Sequence, residues 1–76
     1  MATNQISIDV SNFIRKWLEQ SGTPQFEAAK WAGMPPANLS QRLLGGVEWK
    51  LNELAEFSEQ VFGMPLHELI AQASRN

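Results

Sequence analysis

The sequence contains no cysteine and a single histidine, His67. Disulfides, thiolate metal sites and cysteine nucleophiles are therefore excluded, and a multi-histidine metal site is too. No apolar run approaches the roughly 20 residues that a membrane span requires. The first ten residues lack the basic-then-apolar order of a signal peptide, so a cytoplasmic location is expected. Positive charge is also scarce: Lys and Arg number 6 against 8 Asp and Glu, for a net charge of −2. That balance argues mildly against a nucleic-acid partner. The catalytic signatures are missing as well. No converging acid pair, nucleophile–base pair or glycine-rich phosphate loop is visible, so an enzyme is not expected, nor a cofactor or metal.

What is present suits one small domain. The 76 residues include three Trp and four Phe. Large aromatics matter here, because a domain of this size buries only about 60% of its unfolded surface. The acidity is uneven. Residues 1–22 are balanced by Arg15 and Lys16 against Asp9 and Glu19. Residues 23–52 are slightly basic through Lys30, Arg42 and Lys50 against Glu27 and Glu48. The acidic excess lies beyond, in Glu53, Glu56, Glu59 and Glu68 against Arg75. Glu53, Glu56 and Glu59 read as a solvated face, with a docking surface for a basic partner as the alternative.

Apolar spacing predicts an all-α chain of five short helices. The first covers about residues 11–21, with Val10, Phe13, Ile14, Trp17 and Leu18 inward and Gly22 as the stop. The second starts at residue 24 or 25, with Phe26, Ala29 and Ala32 inward and Gly33 at its end. Thr23 is placed to cap it. The third opens on Pro35 and Pro36, carries Leu39 and Leu43 on one face, and breaks at Gly45-Gly46. The fourth covers about residues 51–62, with a buried stripe of Leu51, Leu54, Ala55, Ser58, Val61 and Phe62. The fifth covers about residues 65–73, with Leu66, Leu69, Ile70 and Ala73 inward. Gly33-Met34-Pro35 and Gly63-Met64-Pro65 are matching stop-and-restart signals. Trp49 reads as a core plug beneath the loop before helix four, and Trp17 as core. Trp31 falls on the less buried side of helix two. Residues 1–9 form a separate arm, since Ile6, Ile8 and Val10 alternate with Ser7 and Asp9 at strand period. The arm is expected to be flexible or an edge strand, with a helix start near Ser7 as the third option. The remaining residues, 10–76, make the domain.

Residues 25–45 have the spacing of a helix–turn–helix. Ala29 is small where two helices would cross, and Gly33 can take φ > 0 after the first of them. Met34 plugs the gap under the turn. Leu39 anchors the second helix so that its other face can enter a major groove.

With these residues in place, the chain resembles the lambda-repressor-like, Cro/repressor family of helix–turn–helix proteins. The likeness covers about residues 13–73. It includes Gln25 opening helix two, Leu51-Asn52-Glu53-Leu54-Ala55 after the Trp49 loop, and the segment from Val61-Phe62-Gly63 to Leu69. The resemblance implies a compact five-helix domain whose third helix, about residues 36–44, reads double-stranded DNA as a transcriptional regulator. A palindromic operator, a homodimer and a phage origin are implied with it. The dimer would form through the N-terminal arm, Trp31 or helix five, in the cytoplasm of a bacterial or phage-infected cell. The chain departs from the family where Pro24, Pro35 and Pro65 replace the usual Ser or Thr caps. Pro36 departs further, standing where members place a base-reading side chain. Base reading then falls on Gln41, with Asn38 and Ser40 beside it and Ala37 limited to apolar contact, for instance with a thymine methyl. Gln25, Arg42, Lys50 and Asn52 are the expected phosphate contacts. Arg42 can instead pair with an acid on helix four. An alternative reading keeps the fold but turns its surface to a protein partner, as an anti-repressor or inhibitor of a host protein. The low positive charge and Pro36 favour that reading.

Overall fold

A computed structural model describes residues 4–75. The chain is all-helical, with α1 (Gln5–Ser21), α2 (Gln25–Ala32), α3 (Pro36–Leu43), α4 (Leu51–Glu56) and α5 (Leu66–Arg75). A π-helical turn, Phe57–Val61, extends α4. α1 packs against α3 and α5, and α2 packs against α3 and the π turn. Among the described residues there is no strand, and no helix is long and apolar enough to cross a membrane.

The expected arm is corrected by α1, which begins at Gln5. Residues 4–9 form neither an edge strand nor a flexible lead; of the three options the early helix start holds, beginning at Gln5 and not at Ser7, and residues 1–3 of that arm lie outside the described residues. The polarity pattern is reversed relative to a strand. Ile6 and Ile8 are exposed, while Ser7 is buried. Ser7, Ser11, Ile14 and Leu18 follow the 3–4 spacing of one helix face and all point inward. The serines are affordable there because each has a partner. Asn4 Oδ1 caps the helix by accepting from the Ser7 N–H at 2.8 Å, and Asn4 N–H donates to Glu48. Ser7 Oγ accepts from the Trp49 backbone N–H at 2.8 Å. Ser11 Oγ accepts from Trp49 Nε1–H at 2.9 Å and donates to the Arg42 carbonyl at 2.8 Å. The first two turns of α1 thus hold the loop between α3 and α4. Ser7→Ala should leave a buried N–H without a partner and cost about 1–3 kcal/mol. Urea denaturation would measure this; a loss below a few tenths would mean that the loop is held by other contacts.

Helix four also differs from expectation. It passes from α to π geometry at Phe57, closed by Phe62 N–H donating to the Phe57 carbonyl at 3.3 Å. In an α-helix residues five apart are about 140° apart around the axis, whereas an i→i+5 turn stacks them. Phe57 and Phe62 accordingly face the same core, with ring centroids 5.8 Å apart. Phe62 makes T-shaped contacts with Phe13 and Trp17, and Phe57 makes one with Trp49. Trp49 is buried as expected, and Trp17 is half-buried.

The two Gly-Met-Pro stops behave alike. Gly33 and Gly63 have φ of +71° and +63°, and each following proline carbonyl accepts from the next helix. Met34 N–H reaches back five residues to Ala29, but Met64 N–H reaches six, to Ser58. The extra residue is the one the π turn inserts. Three smaller expectations fail. Phe26 is 63% exposed and Leu51 70%, so neither is core. Thr23 does not cap α2; its Oγ1 accepts from the Ser21 hydroxyl instead, and the Pro24 carbonyl begins the helix.

Candidate nucleic-acid interface

α2 and α3 are joined by only three residues, Gly33, Met34 and Pro35. Small residues let the two helices meet: Ala28, Ala29 and Ala32 are all buried on α2. Met34 is buried beneath the turn. On α3 the buried side is Leu39, Arg42 and Leu43. The opposite side is therefore turned outward. Ala37 and Gln41, one turn apart, are exposed, and Asn38 and Ser40 are half-buried on either flank. Pro36 is exposed at the first position of the helix. Its missing N–H is harmless there, since that donor has no partner within a helix.

Gln25 is exposed in the first turn of α2. Lys50 and Asn52 are exposed at the start of α4. Their position relative to α3 is set by an ion pair that reassigns Arg42. The Arg42 guanidinium donates from Nε to Glu53 Oε1 at 3.0 Å and from Nη2 to Oε2 at 2.9 Å. The side chains are only 6% and 11% exposed. Such a two-pronged, charge-assisted pair is rigid. Arg42 is consequently not a surface phosphate contact, and Glu53 is not part of a solvated acidic face. Glu53 Oε1 also accepts from the Lys50 N–H at 3.0 Å, which satisfies one orphan donor at the start of α4. Burial pushes the Glu53 carboxyl up, but the Arg42 hydrogen bond, the Lys50 N–H and the charges of Arg42 and Lys50 outweigh it. The net shift is below the usual carboxylate range.

Sequence reasoning brought Ala37, Asn38, Ser40 and Gln41 onto one helix, and they are there. It missed Leu44, which caps α3 and is 77% exposed. The signal was present, because Leu44 lies seven residues after Ala37, on the same helix stripe. Trp31, expected on the less buried side of α2, is 47% exposed. Among the described residues no group of three or more His, Asp or Glu could hold a metal ion, and His67 is exposed. Comparison with protein-family models, curated proteins and solved structures finds no match. The reading of this surface therefore rests on its own geometry.

Proposed function

We propose that the chain is a sequence-specific DNA-binding transcriptional regulator of the Cro/repressor kind, with α3 as the recognition helix. One observation carries the proposal: α3 is locked on one side by Leu39, Leu43 and the Arg42–Glu53 pair, and offers Ala37 and Gln41 on the other. An α-helix with its side chains is about 10–12 Å across, which fits the roughly 12 Å width of the major groove. Gln41 has the paired donor and acceptor that match adenine N7 and N6. Asn38 and Ser40 flank it. Gln25, beside the positive end of α2, and Lys50 with Asn52 serve the phosphates. A two-fold pair of copies would read half-sites about 34 Å apart.

The test is equilibrium binding to a selected duplex over a salt series. Lys50→Ala should weaken all sequences alike and reduce the salt slope by about one. Gln41→Ala should instead remove about 1–3 kcal/mol of discrimination at one base pair. If the parent selects no duplex at low salt, the proposal fails.

A second reading has its own support. Phe26 and Trp31 are exposed large apolar groups on α2, and the Arg42 charge is withdrawn from the surface. Both suit a protein partner, with Trp31 as an anchor. Loss of partner binding in Trp31→Ala, with no DNA selected by the parent, would favour that reading.

A further inference from the structure

The outer stripe of α3 carries no charge. At about 100° per residue, Ala37, Gln41 and Leu44 fall within about 60° of one another around the helix axis. All three are exposed. Pro36 lies off this stripe, Asn38 and Ser40 are half-buried at its sides, and Arg42 is locked inward by Glu53. The stripe is thus one amide between two apolar groups. Arg15 of α1 borders a shallow depression at the Leu44 end, with its Nη2 donating to Asn12 Oδ1 at 2.7 Å.

Each base pair offers the major groove a distinct edge. Guanine is matched best by a cation, adenine by an amide, and the thymine methyl by an apolar group. The stripe has no cation for guanine, one amide for adenine, and two apolar groups. From Ala37 to Leu44 it spans about 10 Å, close to three base-pair steps of about 3.4 Å. Resting on the DNA-binding reading above, we infer that the half-site is a run of A·T pairs, read as one adenine by Gln41 and flanking thymine methyls by Ala37 and Leu44. The protein would then discriminate thymine from uracil, which presents the same hydrogen-bonding edge without the methyl.

The experiment starts with selection from a randomised duplex pool at low salt by the full chain. The best duplex is then resynthesised with uracil in place of thymine. A·T pairs should dominate the core of the selected duplexes. Burying one methyl is worth about a fourfold change in affinity, so two contacted methyls should give a thymine-over-uracil preference of about 15-fold. Leu44→Ala should compress that preference to about fourfold, and folding should survive because Leu44 is 77% exposed. A G·C core, equal binding of the thymine and uracil duplexes, or an unchanged preference in Leu44→Ala would each overturn this inference and leave DNA binding intact. Selection of no duplex at all would overturn both.

Discussion

Arg42→Met is expected to destabilise the domain by about 3–5 kcal/mol, because it leaves the Glu53 carboxylate largely buried without its partner. A domain of this size has only about 3–5 kcal/mol in total, so the variant should be largely unfolded at 25 °C. The double variant Arg42→Met/Glu53→Met should recover most of that loss, since apolar groups of similar size often replace a buried ion pair at little cost. The double variant keeps the net charge. On the proposed DNA-binding function it should therefore bind a selected duplex like the parent, whereas loss of an Arg42 that touched phosphate would reduce the salt slope. Urea denaturation reads the first effect and a salt series the second. The pH dependence follows from the lowered Glu53 pKa. A carboxyl held below its ordinary value of about 4.3 stabilises the fold fully above that value. The contribution is lost as pH falls through the lower, folded value. The stability gap between the parent and Glu53→Gln should accordingly narrow in acid. A gap that stayed constant down to strongly acidic pH would contradict the pairing.

Phe57→Ala should be comparably severe. Phe57 is completely buried and lies between the rings of Trp49 and Phe62, at 5.7 and 5.8 Å. Truncating a buried Phe costs about 3–5 kcal/mol, and the aromatic contacts add to the loss. Circular dichroism should show a chain that no longer melts cooperatively. Phe62→Ala, at a half-buried site, should be milder. If Phe57→Ala melted like the parent, the π turn would not be organising the core as described.

The residues that build the α2–α3 pair were legible because their signals are local. Gly33 needs a positive φ, Ala29 needs to be small, and Pro35 with Pro36 can precede or begin a helix but not continue one; none of these depends on a distant partner. Gln41 was legible for the same reason, since helix periodicity opposes it to Leu39 and Leu43. Phe26 and Leu51 misled because both stand in the first turns of short helices. There, a few degrees of packing decide whether a large side chain is covered.

By itself, then, the sequence determined the number and order of helices, their stops, and the outward face of the third. Each follows from backbone stereochemistry and the 3.6-residue period. Tertiary structure alone decided three other features. Ser7 and Ser11 turn inward, which makes residues 5–9 helical, because Trp49 arrives to satisfy them. The π turn forms where it brings Phe57 and Phe62 onto one core. Arg42 leaves the surface because Glu53, eleven residues on, offers a bidentate partner in a largely buried site. In each case a polar or aromatic group has two acceptable local environments, and only a partner remote in sequence selects between them.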